Sequence, residues 1–160
     1  QIYGMTDYRR LTVRSIFRLV KLKVSKLQRD SVAPNAITIA QSLFEKGSEI
    51  YGIWIEDTAI GLIALIDLGQ PGQKLEAHED PDSIYIWRLM VAEHHQGKGH
   101  GIDALRFIER RCRQIGRRRI ILSAVDGAGA AIPFYEKQGY KKTGNIVDGE
   151  IEMAKLIKQS

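Results

Sequence analysis

Three glycines on alternate positions, in Gln96-Gly97-Lys98-Gly99-His100-Gly101, are the residues of this chain best suited to hold a ligand. Ahead of them, Ile84-Tyr85-Ile86-Trp87-Arg88-Leu89-Met90-Val91 is rich in branched and aromatic residues, as a buried strand is. Behind them, Ile102, Leu105, Ile108, Cys112 and Ile115 recur at helical spacing. A strand that turns through glycines into a helix leaves the first helical N–H groups unpaired and lets a ligand approach bare backbone. Such a terminus attracts anions, so the spacing implies a phosphorylated ligand.

The spacing also narrows the ligand. A dinucleotide fingerprint needs GxGxxG and an acidic residue about twenty positions on, whereas position 121 is Ile121. A Walker loop needs Ser or Thr after Gly-Lys, and Lys98 is followed by Gly99. The pattern Gln-x-x-Gly-x-Gly instead resembles the acyl-CoA pyrophosphate loop of the GNAT N-acetyltransferases. Pro133-Phe134-Tyr135-Glu136-Lys137-Gln138-Gly139-Tyr140 resembles a second segment of that family: a helix carrying Tyr, Gly four residues later, and an aromatic opening the next strand. The resemblance implies acetyl-CoA as co-substrate, with its pyrophosphate on the N–H groups of Gly97, Lys98, Gly99, His100 and Gly101, beside Ile102. Gln96 would brace the turn and the Lys98 side chain would point outward. Pantetheine would pair with the backbone around Leu89, Met90 and Val91, next to Phe134. Tyr135 would protonate the departing thiolate, and thiol and phenol differ by only about 1.5 pKa units, close enough for proton transfer.

Val32-Ala33-Pro34-Asn35, Ile39-Ala40-Gln41, Trp87-Arg88-Leu89-Met90, Thr143-Gly144 and Gly149-Glu150 with Met153 are similar to bacterial spermine/spermidine (diamine) acetyltransferases. That similarity implies direct acetyl transfer to a primary amine of a polyamine in a ternary complex. Two positions depart from the family. Ala128 stands where many members carry an Asn that touches the cofactor, and Tyr85 stands where some carry a Glu base. No carboxylate base carries over, and Asp82 and Tyr85 are the expected candidates. Glu76, Glu79 and Asp80, in the polar segment before the central strand, are expected to hold ammonium groups, with Trp87 beside them. The alternatives are a different amine (aminoglycoside, amino acid or protein N-terminus) or a non-catalytic binder of acyl-CoA or nucleic acid.

These residues need a scaffold. The 160 residues are 44% hydrophobic, enough for one domain with a full core. The expected fold is α/β: a mixed, mostly antiparallel sheet of six or seven strands with a splayed central parallel pair and helices on both faces, the fold the resemblance implies. The pattern reads as strand Leu11–Ile16, a helix marked by Phe17, Val20, Val24 and Leu27, and a second helix burying Ala36, Ile39, Ala40 and Leu43. A hairpin follows, 49–55 and 59–66, then a loop, strand 84–92, helix 100–115, strand 119–125, a helix at Tyr135, and strands 140–145 and 150–156 about Asp148-Gly149.

Four His and the lone Cys112 lack metal-ligand spacing, so no metal is expected. A single cysteine suits a reducing, cytoplasmic setting, and no apolar run approaches the roughly 20 residues that span a bilayer. Gln1 is not an initiator; Met5 offers a native start, which would make residues 1–4 an addition. A homodimer is compatible with the family. The net charge of +5 opposes a polycation at long range. Much of it sits in Arg110, Arg111, Arg113, Arg117, Arg118 and Arg119, a cluster that could meet a CoA phosphate, a nucleic acid or only solvent.

Overall fold

The computed structural model describes residues 5–24, 34–127 and 131–159. Seven strands form one sheet: β1 (Thr6–Arg10), β2 (Ser48–Ile55), β3 (Thr58–Asp67), β4 (Ser83–Val91), β5 (Arg119–Ala124), β6 (Lys141–Val147) and β7 (Glu150–Leu156). Their order is β1-β2-β3-β4-β5-β7-β6, antiparallel throughout except for β4 and β5. This is the mixed sheet expected. Helices α1 (Ile16–Val20), α2 (Asn35–Ser42), α3 (His100–Ile115) and α4 (Ile132–Lys137) complete the fold.

Strand alternation divides the core. Ile84 and Ile86 of β4, Ile120 and Leu122 of β5 and Met153 of β7 pack with Leu105, Ile108 and Cys112 of α3. On the opposite face Leu62, Ala64 and Met90 pack with Leu19 of α1. Ala64 opposes Arg88 while Leu65 opposes Ile86, so Trp87 is an extra residue in β4. One extra residue reverses the alternation: before it the even-numbered residues face α3, after it Arg88 and Met90 face α1. The parallel pairing also ends here, at Ile86 and Leu122, although both strands run on. The central pair therefore splays apart beyond the bulge.

Both hairpins use left-handed residues in two-residue turns, Glu56 (φ 51°) and Asp148-Gly149 (φ 50° and 79°). The N-terminal region differs from the sequence expectation. The first strand is Thr6–Arg10, not Leu11–Ile16, because Thr12 and Ser15 exchange side-chain and backbone hydrogen bonds that close a turn. In α1 it is Leu19 that is fully buried, whereas Phe17 is 71% exposed; Leu27 lies outside the described residues. In α2 the inward face is Asn35 and Thr38, while Ala36, Ala40 and Leu43 are exposed. The reason is polar. The Asn35 side-chain amide donates to Leu19 O at 2.8 Å, and its Oδ1 accepts from Arg88 Nε at 2.9 Å, so the helix turns toward hydrogen bonds that an apolar stripe cannot make.

Candidate active site

The glycine loop follows β4 through a single 3₁₀ turn, Glu93–His95. Gly97 and Gly99 adopt left-handed φ of 73° and 85°, and Gly99 is the N-cap of α3. Side-chain-bearing residues reach that conformation only with strain, which is why glycine stands there. A Cβ on either would meet nothing within 4 Å, so the space above the loop is open. The Gln96 N–H bonds to Glu93 O, and the next backbone donor engaged with a loop carbonyl is Asp103, on Gly99 O at 3.1 Å. Among the described residues, the N–H groups between them find no backbone acceptor. The Gln96 side-chain amide donates to Val91 O at 2.8 Å, tying the loop to the strand end. His95 is held below its usual pKa by burial, then by the positive charges of Lys98, His100 and His94. Lys98 itself is exposed. Open space, free N–H groups and positive charge fit a pyrophosphate.

Strand β4 supplies the second element. The N–H of Ala92 bonds to Ile60 O. In an antiparallel ladder hydrogen-bonded and non-bonded pairs alternate, so Leu89 and Val91, opposite Ile63 and Gly61, turn their backbone groups away from β3 and into the splay. The Val91 carbonyl is taken by the Gln96 amide; the Leu89 backbone and the Val91 N–H remain on this edge and fit the amides of a pantetheine arm laid down as an added strand.

Tyr135 borders the α3 side of this gap. It is 8% exposed and stacks edge-on with Phe134 and Tyr140, at centroid distances of 5.2 and 5.6 Å. Burial pushes its phenol up to about 12. Phe134 also limits the loop: a Cβ on Gly101 would lie 3.2 Å from Phe134 Cζ. Cys112 is fully buried, and burial lifts its thiol to about 11, which makes it a poor nucleophile.

On the opposite face of the sheet lies a cavity of about 220 Å³. Tyr85 of β4, Ile121 and Ser123 of β5 and Glu152 of β7 form its floor; Glu76, His78 and Glu79 of the β3–β4 loop and Asp148 of the last hairpin form its rim. Four lining residues are acidic, and among the described residues no Lys or Arg lines it. Tyr85 shows the effect: burial raises its pKa first, the neighbouring Ser123 hydroxyl opposes this, and Glu150, Glu152 and Asp148 raise it further.

The structure thus brings Glu76, Glu79 and Tyr85 together and places Asp80 and Asp82 elsewhere. Asp82 pairs with Arg118 at 2.8 Å and Asp80 lies 3.8 Å from Arg119. Trp87 packs on the α1 side of the sheet. Neither Glu152 nor Asp148 is a site candidate from sequence, where Asp148 figures only in a hairpin turn. Alternation about the buried Met153 carries the only signal for Glu152, and it is legible only once the face of β7 is known. Position 128 lies outside the described residues. The arginine cluster is largely spoken for. Arg111 bonds both oxygens of Glu49, Arg117 both oxygens of Asp67, and Arg113 donates to Lys158 O.

Residues 16–140 match the family model described as "Acetyltransferase (GNAT) family". No curated protein matches the chain by sequence. Among solved structures, the GNAT domain of S. lividans PAT superposes with a TM-score of 0.74 at 21% identity, covering 96% of this chain and 91% of that one. The PaiA N-acetyltransferase from Thermoplasma acidophilum, solved in complex with coenzyme A, gives 0.69 at 17% identity, covering 95% and 99%. The ribosomal-protein-S18-alanine N-acetyltransferase from Escherichia coli gives 0.67 at 16%, covering 98% and 96%.

Proposed function

Because the chain belongs to the acetyltransferase (GNAT) family, we propose that it moves acetyl from acetyl-CoA directly to a primary amine of a small polyamine such as spermidine or spermine. The observation that carries the choice of acceptor is the cavity. Glu76, Glu79, Asp148 and Glu152 line it with no Lys or Arg among the described residues, and such a lining favours a cation and disfavours an anionic acceptor.

The division of labour follows from the two faces of the sheet. The glycine loop and the free edge at Leu89 and Val91 hold acetyl-CoA, whose thioester supplies an activated acetyl group. Tyr135 waits on the α3 side as the acid for the sulfur, kept protonated by burial at any neutral pH. The amine enters from the cavity on the other face. Since Cys112 is buried and is the only thiol, no acyl-cysteine intermediate is used.

The test is a free-thiol assay with acetyl-CoA over a panel of polyamines, aminoglycosides, amino acids, arylamines and peptides bearing free N-termini. Spermidine or spermine should give the highest kcat/KM. A higher value for any other class removes the polyamine and leaves the fold and the co-substrate standing. Thiol release with no amine on the panel, together with tight CoA binding, would favour a binding protein.

A further inference from the structure

The reaction needs a group that takes a proton from the acceptor ammonium, whose ordinary pKa lies near 10. Asp82 is engaged with Arg118 and lies outside the cavity. Tyr85 lines the cavity, but burial and neighbouring carboxylates raise its phenol, so at neutral pH it is a hydroxyl that donates rather than a phenolate that accepts. A third group stands in the right place. Glu152 is only 4% exposed, yet it lines the cavity floor. Its Oε1 accepts from Thr143 Oγ1 at 2.8 Å and from Asn145 Nδ2 at 3.1 Å, and among the described residues its Oε2 accepts nothing. No salt bridge to a basic side chain reaches it among those residues. Removing a carboxylate from water without a cation is costly, and a ligand cation in the cavity is the missing partner.

The sheet register fixes where that partner would lie. Glu152 is directly opposite Ser123. Ser123 is the first residue of β5 beyond the last parallel pair, Ile86 with Leu122. Glu152 is therefore level with the opening of the splay, beside Ser123, whose hydroxyl neighbours Tyr85. An amine held there lies at the gap through which the thioester must be reached.

We propose that Glu152 is the general base of the acetyl transfer, a role that rests on the acetyltransferase reading above. Its Oε2 takes one proton from the ammonium. The freed nitrogen lone pair forms the C–N bond at the acetyl carbonyl as the C–S bond breaks. Tyr135 protonates the departing sulfur, the second nitrogen proton passes to water, and water returns a proton to Tyr135. The balance is one ammonium and one thioester in, and one amide, one thiol and one proton on Glu152 out. Thr143 and Asn145 are positioning residues that hold Oε1 and leave Oε2 aimed at the cavity.

The decisive measurement is kcat against pH for wild type and Glu152→Gln, using whichever amine wild type turns over best, with acetyl-CoA affinity followed by calorimetry. Loss of a general base lowers kcat by roughly 10²–10⁴-fold. The residual rate of Glu152→Gln should climb with pH toward about 10, as the amine loses its own proton, while acetyl-CoA affinity stays within about twofold of wild type, RT ln 2 being small on the scale of a lost contact. A higher KM for the amine, with kcat and its pH profile unchanged, would overturn the assignment. If Glu152→Gln does not fold, Thr143→Val decides: a lower kcat with intact acetyl-CoA affinity and a wild-type pH profile supports the role, and wild-type kcat refutes it. Failure of the polyamine reading would show separately, as a different preferred amine in wild type.

Discussion

At Tyr135 a buried side chain packs the core and, on the function proposed above, also supplies a proton. Its ring fills the core between Phe134 and Tyr140, and burial holds the phenol at about 12, so it remains an acid throughout the working pH range. Tyr135→Phe keeps the ring and removes the proton. The expected outcome is a kcat lower by roughly 10²-fold or more with acetyl-CoA affinity nearly intact, because only the transition state uses the hydroxyl. Steady-state kinetics beside calorimetry reads both; an unchanged kcat with chemistry rate-limiting would remove Tyr135 from the reaction. Arg88 is a different case. It is a buried cation whose pKa burial lowers to about 10, and its Nε–H donates to Asn35 Oδ1. Asn35→Ala leaves the Arg88 Nε–H without its acceptor and removes the side-chain bond to Leu19 O, which keeps the Leu22 N–H, and should destabilise the fold by about 1.5–3 kcal/mol, measurable by urea denaturation.

At the scale of elements, the loop between β4 and α3 and the bulge at Trp87 act together. The bulge reverses the strand's faces and ends the parallel pairing, which opens the edge at Leu89 and Val91. The loop then points free N–H groups at the same opening. Substitutions in the loop should fail for different reasons. Gly99→Val meets no neighbour but forces a branched residue to φ 85°, straining the cap of α3. Gly101→Val has ordinary backbone and crowds Phe134 Cζ at 3.2 Å, on the ring next to Tyr135. Both should weaken acetyl-CoA binding at least tenfold, about 1.4 kcal/mol. Phe134→Ala should restore part of the loss in Gly101→Val and none in Gly99→Val. Equal rescue of both would show that crowding is not what separates them.

For the whole molecule, charge and pH give the clearest expectations. The net charge of +5 repels a polycation, while the cavity concentrates negative charge. On the polyamine proposal, recognition is short-ranged. Screening grows as the Debye length falls from roughly 20 Å to under 10 Å between about 0.02 M and 0.3 M salt, so KM for spermidine should rise over that range; a flat KM would argue against the carboxylates as its ligands. Stability responds to alkali through buried acids. Cys112 moves from 9.0 to about 11, and Tyr8 and Tyr135 from 10.0 to about 12. Each is raised in the fold, so its contribution is complete below the unfolded value and is lost as pH rises through the folded one. Denaturation midpoints should hold level up to about pH 9 and fall from there toward pH 11, and Cys112→Ala should move the onset up toward pH 10.

Much of this was legible in the sequence, and for a local reason. The glycine spacing at 97, 99 and 101, the helical stripe of Ile102 to Ile115 and the Asp148-Gly149 turn depend on backbone conformation and near neighbours, which residue types specify directly. The mixed sheet is the one the family resemblance implied, and the order of those elements agrees with it. Tertiary structure decided what depends on register and on distant partners. It turned α2 by its Asn35 hydrogen bonds to Leu19 and Arg88, against its apolar stripe. It drew Asp80 and Asp82 toward Arg119 and Arg118, residues far along the chain. It set Glu152, one of two glutamates around an isoleucine in β7, opposite Ser123 at the opening of the splay. The sequence by itself determined that a glycine turn precedes a helix and that a second, tyrosine-bearing helix follows. Only the folded sheet decided which carboxylates line the cavity, because a one-residue change of face in a strand leaves composition untouched and reverses every side chain.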